Sequence, residues 1–179
     1  MSRFLIIYST TDGHTRTICS QIASSIGAHG HEVDLRPLKD NGDIDLTPYD
    51  KIILGASIRY GKHQPEVFSF IERNLALLEQ KESAFFTVNI VARKPHKNQP
   101  DTNPYMQKFL QQTEWKPDHL EVFAGRLDYP SISWRDRQII RLIMWMTKGP
   151  TAKDTVIEYT DWERVRAFAE RLAQNPTDH

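Results

Sequence analysis

The sequence has very little cysteine and no excess of charge of either sign. Cys19 is the single cysteine in 179 residues, which excludes an internal disulfide framework and fits a reducing compartment. Lysine plus arginine and aspartate plus glutamate both number 23, so the formal net charge is zero. This balance argues against a nucleic-acid-binding protein, which usually carries a basic excess. It also argues against a freely diffusing electron carrier that is steered by acidic charge.

The sequence also lacks a long apolar run and the common nucleotide-binding motifs. No stretch reaches the roughly 18 uninterrupted apolar residues that a membrane-spanning helix needs, and the first residues resemble a strand rather than a secretory signal. We therefore expect one cytoplasmic domain over residues 1–179, with peripheral membrane contact still open. Neither GxGxxG nor GxxxxGK(S/T) occurs, and the seven histidines show no metal-ligand spacing.

Strands and helices alternate along the chain, which predicts an α/β fold with a doubly wound, five-stranded parallel sheet. The expected strands are residues 4–8, 32–36, 51–57, 83–91 and 120–127. Helices are expected over 15–26, 65–78, 105–112 and 160–172, the last opening with Thr160 and Glu163 as a capping box. The long segment 128–154 is predicted to be a helical insertion after the fifth strand, because a simple fold of this kind needs only a few residues there.

The segment Ser9-Thr10-Thr11-Asp12-Gly13-His14-Thr15 has the composition of a phosphate-binding loop. It joins the first strand to a helix at the carboxyl edge of the expected sheet, where ligands bind in such folds. A helix N-terminus presents unpaired amides to an anion, and the hydroxyls add further donors. A polar turn that only caps the helix would have the same composition, so that alternative stays open.

Two further loops leave the same edge of the expected sheet. Ser57-Ile58-Arg59-Tyr60-Gly61 follows the third strand, and Asn89-Ile90-Val91-Ala92-Arg93-Lys94 follows the fourth. Loops at neighbouring carboxyl ends converge on one ligand. Tyr60 is a candidate for stacking on a planar ring, with a half-buried surface tyrosine as the alternative. Arg59 is a candidate partner for a substrate carboxylate, with an ordinary surface ion pair as the alternative.

Four segments together resemble one family. They are the STxDGxT pattern at 9–15, GASIRYG at 55–61, SAFFTVNIVARKP at 83–95 and YTDWE at 159–163. In this order, over about residues 4–172, the chain resembles the bacterial flavodoxin-type protoporphyrinogen oxidases, also called menaquinone-dependent protoporphyrinogen IX dehydrogenases. The combination is more specific than the phosphate loop, which would fit any flavodoxin.

The resemblance implies a flavodoxin-like fold, FMN as the cofactor and a role in heme biosynthesis. Electrons would pass from protoporphyrinogen IX to a membrane quinone, menaquinone or ubiquinone, so the protein would lie in the cytoplasm, attached peripherally to the inner face of the cell membrane. The family pattern adds contacts in a stretch that begins near Phe85 and ends near Lys153. The expected FMN-binding residues are Ser9, Thr10, Thr11, Asp12, Gly13, His14, Thr15, Ser57, Ile58, Arg59, Tyr60, Gly61, Phe85, Asn89, Ile90, Val91, Ala92 and Lys153.

Residues 134–148 of the insertion predict a basic amphipathic helix. At about 100° per residue the apolar and the basic positions separate, with Ile139, Leu142, Ile143 and Met146 on one side and Arg137, Arg141 and Lys148 on the other. Such a helix suits an anionic membrane surface or an apolar macrocycle that carries carboxylates. The expected contact residues are Arg137, Arg141 and Trp145. The alternative is a core helix folded back on the domain, with its arginines solvated.

Two other functions stay open at this stage: a flavodoxin-like NAD(P)H quinone reductase and a non-catalytic flavodoxin electron carrier. The neutral charge disfavours the carrier, and no segment resembles a dedicated nicotinamide site. No paired carboxylates or Ser-His-Asp order are present, so the redox chemistry would belong to the cofactor. The sequence identifies no catalytic acid or base, so the catalytic residues stay unknown, and His63 is expected to be exposed to solvent.

Overall fold

Five parallel strands form the central sheet, in the order β2-β1-β3-β4-β5. The computed structural model describes residues 1–10, 13–38, 43–59, 61–128, 134–146, 148–152 and 156–174. The strands are β1 (Arg3–Ser9), β2 (Glu32–Pro37), β3 (Lys51–Ser57), β4 (Glu82–Asn89) and β5 (His119–Ala124). This order and direction confirm the predicted doubly wound sheet.

Helices cover both faces of the sheet. They are α1 (His14–Ala28), α2 (Pro65–Gln80), α3 (Pro104–Gln112), α4 (Trp134–Met146) and α5 (Trp162–Gln174). Alternate side chains of β1 point to opposite faces. Leu5 and Ile7 pack with the buried residues of α2 and α3, whereas Phe4 and Ile6 pack with those of α1 and α5. The chain thus forms two apolar cores that share one sheet.

A close backbone approach explains the glycine in the central strand β3. A Cβ atom on Gly55 would lie 2.2 Å from the ring atom Cζ of Phe86 on the neighbouring strand. The Phe86 ring is fully buried, so it cannot swing away into solvent. A residue larger than glycine would therefore force the strands or the ring to move.

The predicted fifth strand divides at Gly125. Its first part is β5, and residues Arg126–Asp128 form a separate strand, β6, which pairs antiparallel with β7 (Val156–Glu158). The Gly125 amide donates to the Asn89 carbonyl oxygen, and its own carbonyl accepts from the Tyr159 amide. The first bond continues the pairing of β4 with β5, and the second joins Gly125 to the segment after β7. The two-stranded ribbon that begins here was not predicted from the sequence.

The capping box predicted for α5 is wrong. Asp161 caps the helix, since its Oδ1 accepts hydrogen bonds from the amides of Glu163 and Arg164. The Thr160 hydroxyl donates instead to the carbonyl oxygen of Ala124, at 2.7 Å. Thr160 therefore ties the start of α5 to the end of β5, at the edge of the sheet where the expected site lies.

The predicted helical insertion is present as α4. Only Met144 of this helix is buried, and the helix ends two residues earlier than expected, before Lys148, which has a positive φ of 59°. None of the helices in the described ranges is long and apolar enough to cross a membrane.

Candidate flavin site

A cavity of about 200 Å³ opens at the carboxyl edge of the sheet. The loops that follow β1, β3, β4 and β5 form its floor and sides, and α4 lies across it. The residues that line it are His14, Thr15, Ser57, Ile58, Arg59, Gly61, Val88, Asn89, Ile90, Val91, Arg93, Tyr105, Gly125, Arg126, Leu127, Asp136, Ile139, Ile140, Ile143 and Met144. The three loops that were expected to converge on one ligand all contribute residues to this cavity.

The loop after β1 delivers the N-terminus of α1 to this edge. Gly13 occupies the N-cap position with a φ of 90°, a left-handed conformation that favours glycine. Its amide donates to the Thr10 hydroxyl at 3.0 Å. Gly13 has no side chain to cap the first turn of α1, and a helix N-terminus of this kind is suited to an anion.

Three buried hydroxyl oxygens at this edge have no hydrogen-bond partner within the described part of the chain. They belong to Ser9, Thr15 and Ser57. Leaving a buried hydroxyl unpaired costs about 1–3 kcal/mol, so a native protein normally provides a partner. Ser9 and Thr15 flank the expected phosphate loop, and Ser57 opens the next loop. These residues fit a flavin that carries phosphate, since its phosphate and ring edge offer acceptors and donors.

His14 supports the phosphate loop through its ring nitrogen Nε2. This nitrogen lies 2.7 Å from the Thr160 hydroxyl oxygen, and the single hydroxyl hydrogen of Thr160 is donated to Ala124. Nε2 therefore carries the proton and donates to Thr160. The His14 ring also packs edge-to-face on Trp162. The histidine thus joins the start of α1 to β5 and α5.

A reciprocal pair of amides orders the loop after β4. The side chains of Asn89 and Asn103 donate to each other's Oδ1 atoms, at 3.2 and 3.1 Å. Asn89 Oδ1 also accepts from the Ala92 amide, which ends β4 at Asn89 rather than at Val91 as predicted. Asn103 Oδ1 caps α3 by accepting from the Tyr105 amide. The pair fixes both ends of a long loop beside the cavity.

Tyr105 is a cavity residue that the sequence analysis missed. It follows the Asn103 cap, and its side chain is half-buried against the cavity. Burial raises the pKa of its hydroxyl, so the group is a neutral phenol that can donate a hydrogen bond into the cavity. In the sequence, Tyr105 directly follows Asn103 and Pro104, a pair that is typical of a helix start. An aromatic residue at that position could have been predicted to lie near the site.

The roof of the cavity is the inner side of α4. Ile139, Ile140, Ile143 and Met144 make it apolar, and Asp136 adds one carboxylate. Arg59 Nη2, in the loop after β3, lies 3.3 Å from Asp136 Oδ2. The helix therefore closes over the loops, joined to one of them by an ion pair.

Comparison with known proteins agrees with this geometry. A family model described as a flavodoxin domain matches residues 5–154. The chain is 42% identical to the protoporphyrinogen IX dehydrogenase (quinone) of Escherichia coli strain K12 over 169 residues, which are 94% of this chain and 93% of that protein. The protein of the same name from Leishmania major is 43% identical, over 96% of this chain and 75% of that protein. The chain belongs to this flavodoxin-domain family.

Solved structures show the same flavodoxin fold at low sequence identity. The crystal structure of oxidised Flavodoxin 1 from Bacillus cereus superposes with a TM-score of 0.57 at 15% identity, over 98% of this chain and 100% of that one. The WrbA-like flavodoxin from Agrobacterium tumefaciens superposes with a TM-score of 0.54 at 14% identity, over 97% and 96%. These similarities extend to the fold alone.

Most of the expected residues that the structure describes line the cavity of this flavodoxin domain or lie beside it. His14, Thr15, Ser57, Ile58, Arg59, Gly61, Asn89, Ile90 and Val91 line it. Ser9, Thr10 and Gly13 belong to the adjoining loop, and Ala92 is buried behind Asn89. Thr11, Asp12, Tyr60 and Lys153 lie outside the described residues.

Phe85 requires a correction. Its side chain is fully buried in the core and stacks on Phe109, with ring centroids 3.8 Å apart. The even alternation of β4 turns Phe85 toward α2 and α3. The lining from this strand begins at Val88 instead.

His63 also differs from expectation, because it is buried rather than exposed to solvent. Its Nε2 lies 2.9 Å from the Thr87 hydroxyl oxygen, and its ring packs against the rings of Phe85 and Phe109. Burial lowers the pKa of His63 to about 4, so the ring is neutral at physiological pH.

The expected contact residues of α4 have different surroundings. Arg141 Nε donates to the Thr151 carbonyl at 2.6 Å, and Arg137 is half-buried; neither is among the described residues that line the cavity. Trp145 is 72% exposed. The apolar side chains of α4 are therefore divided between two surroundings: Ile140 and Met144 face the cavity, whereas Leu142 and Trp145 are exposed. Met144 is the one buried residue of the helix, which differs from the fully packed core helix that the sequence left open.

The exposed apolar side chains of the described residues are concentrated in this region. Of nine large apolar side chains that are exposed, all but Met1 lie between residues 134 and 157. On α4 they are Trp134, Ile139, Leu142, Ile143, Trp145 and Met146. The other two, Val156 and Ile157, lie on β7. An exposed apolar surface that is concentrated in one region indicates an interaction site.

Proposed function

We propose that this chain is an FMN-dependent protoporphyrinogen IX dehydrogenase that passes its electrons to a quinone in heme biosynthesis. One observation carries the proposal: relatives of that name match 94% of the chain at 42% identity. Because the match covers 94% of the chain, it includes both the carboxyl edge of the sheet and α4.

The three unpaired hydroxyls support FMN as the flavin. The first turn of α1 and the hydroxyls of Ser9 and Thr15 would hold its phosphate. Ser57 and the backbone of residues 88–91 would meet its ring system. When bound, FMN would supply the two-electron chemistry that no side chain of the cavity offers.

The roof of the cavity supports a large apolar substrate. Ile139, Ile140 and Ile143 give it an apolar wall that keeps water from the flavin. Arginines at 59, 93 and 126 line the same cavity, and guanidinium groups are suited to carboxylates. Protoporphyrinogen IX combines both features, since it is an apolar macrocycle with propionate groups.

The assay that tests this proposal supplies the FMN-loaded protein with either of two electron donors. Under anaerobic conditions, protoporphyrinogen IX is added together with a menaquinone or ubiquinone analogue, and porphyrin fluorescence is followed. We expect fluorescence that depends on both protein and quinone. Rapid reduction of the flavin by NADPH, without reduction by porphyrinogen, would identify a quinone reductase instead. No turnover with either donor would favour an electron carrier.

The outer side of α4 supports peripheral attachment to the cytoplasmic face of the membrane. Leu142, Trp145 and Met146 are 57%, 72% and 70% exposed. Each such side chain contributes about 1.5–3 kcal/mol when it leaves water completely, and the exposed cation Arg135 adds about 1 kcal/mol near an anionic surface. A membrane quinone would then be available beside the cavity.

Sedimentation with phosphatidylglycerol-containing vesicles tests the attachment. The double variant Leu142→Ser/Trp145→Ser should lose most of its vesicle binding, whereas Lys108→Ser on the exposed side of α3 should keep it. Equal binding of the two variants would refute attachment through α4.

A further inference from the structure

The ion pair between Arg59 and Asp136 lies where the cavity meets solvent. Both residues line the cavity, and their side chains are 45% and 19% exposed. Arg59 Nη2 and Asp136 Oδ2 are 3.3 Å apart. A ligand that enters between α4 and the loop after β3 therefore meets this pair.

The backbone presents Arg59 in a fixed position. Its amide donates to the Lys62 carbonyl oxygen at 2.8 Å, and its carbonyl oxygen accepts from the Lys62 amide at 3.0 Å. Gly61, with a φ of 74°, closes the turn between them. The backbone of Arg59 is thus held at the cavity by a tight turn, independently of α4.

The carboxylate of Asp136 can be exchanged at Arg59 for the carboxylate of a ligand. Ion pairs at the protein surface stabilise proteins by little, typically about 0–1 kcal/mol, and the guanidinium side of this pair is open to solvent, with the Arg59 side chain 45% exposed. A guanidinium stays charged and binds a carboxylate through paired N–H groups. An incoming carboxylate can therefore replace that of Asp136 at Arg59 with little loss.

We propose that Arg59 is a carboxylate-recognition residue of this cavity, and that Asp136 is the intrachain carboxylate which a substrate carboxylate displaces. The inference rests on the proposed function, because it takes a macrocycle with propionate groups as the ligand. The apolar roof beside Asp136 would receive the macrocycle, and Arg59 would hold one propionate. Arg59 thereby selects the free acid over its ester.

Equilibrium binding of a fluorescent porphyrin tests the exchange without turnover. The FMN-loaded protein is titrated with protoporphyrin IX and, separately, with its dimethyl ester, which has the same ring and no carboxylate. Arg59→Gln should weaken binding of the diacid about tenfold, and Asp136→Asn should tighten it about threefold to tenfold. Neither variant should change the affinity for the ester by more than about twofold.

A second ion pair on the surface provides controls for the two charge changes, with an arginine of matching exposure and a fully exposed aspartate. Arg73 Nη1 and Asp43 Oδ1 lie 3.6 Å apart. The Arg73 side chain is 46% exposed, and that of Arg59 is 45% exposed. Arg73→Gln and Asp43→Asn make the same charge changes and should leave both affinities unchanged. Arg59→Lys, which keeps the charge, should recover part of the diacid affinity.

The outcomes separate the inference from the proposed function. Equal weakening of diacid and ester by Arg59→Gln, with flavin still bound, would assign Arg59 a purely structural role and overturn the inference. Weaker diacid binding by Asp136→Asn would also overturn it, since a displaced carboxylate must compete with the ligand. If the wild-type protein binds neither porphyrin, the proposed function itself fails.

Discussion

Replacing Thr15 by valine is expected to stabilise the apoprotein and to weaken its binding of FMN. The Thr15 side chain is 0% exposed, and its hydroxyl oxygen has no partner in the described part of the chain. Valine keeps the branched shape and removes the hydroxyl. The substitution thus deletes an unpaired buried group, which costs about 1–3 kcal/mol. For a domain of this size, each kcal/mol corresponds to about 2–4 °C in Tm.

Thr15→Val is expected to stabilise the apoprotein but to lower its affinity for FMN. If the Thr15 hydroxyl donates to the FMN phosphate, valine removes a hydrogen bond to a charged group, which is worth about 1.5–3 kcal/mol. The dissociation constant should then rise about tenfold to a hundredfold. A packing defect caused by the substitution would instead lower the stability of the apoprotein.

Two measurements on the same samples check the prediction. Thermal unfolding of the apoprotein gives the stability, and quenching of free FMN fluorescence gives the dissociation constant. Thr17→Val is the matched control, because Thr17 is exposed on the same helix. Destabilisation of apo Thr15→Val together with unchanged FMN affinity would show that this hydroxyl has only a structural role.

Two further substitutions test the core of the fold. The pKa of His63 is lowered from 6.5 to about 4 by burial, so the unfolded state binds more protons below pH 6.5 and stability falls by about 3 kcal/mol as the pH drops to 4. Urea titrations at several pH values give the free energy of unfolding as a function of pH. His63→Gln should reduce its dependence on pH, whereas His96→Gln, at an exposed position, should not. An unchanged pH dependence in His63→Gln would contradict the prediction. Gly55→Ala should destabilise by at least about 1–3 kcal/mol through its clash with Phe86, whereas Gly27→Ala, with open space around it, should be neutral or stabilising; equal denaturation midpoints would refute the packing argument.

The sheet could be predicted because its strands are long apolar runs separated by amphipathic helices. Lys51–Ser57 is apolar at nearly every position, and the structure gives the same bounds for β3. The ribbon of Arg126–Asp128 and Val156–Glu158 was missed, since three-residue strands are too short for a period to appear. Their pairing depends on Gly125, whose hydrogen bonds join residues far apart in the chain.

The candidate site was predictable where it depends on loop position and unpredictable where it depends on side-chain direction. The loops after β1, β3 and β4 follow their strands directly, so topology alone brings them to one edge. The direction of Phe85 depends on the register of β4, and the roles of Thr160 and Asp161 depend on competing bonds that one motif cannot distinguish. The pair of Arg59 and Asp136, 77 residues apart, has no local signal.

The orientation of α4 is the decisive feature that the periodicity left open. A helical wheel separates apolar from basic positions, but it does not say which side meets the domain. Arg141 bonds the chain segment after the helix, whereas Leu142 and Trp145 stay in solvent. The sequence alone could not distinguish this arrangement from a helix with its apolar side buried.

This orientation also explains how one helix can serve two apolar environments. Ile140 and Met144 face the cavity, and Leu142 and Trp145 face outward. A helix with its side chains is about 10–12 Å across, so that is the thickness separating the cavity from whatever covers the outer side. If a membrane covers it, a quinone in the bilayer lies within about one helix diameter of the flavin site. Attachment through α4 and electron transfer to a membrane quinone would then depend on the same element.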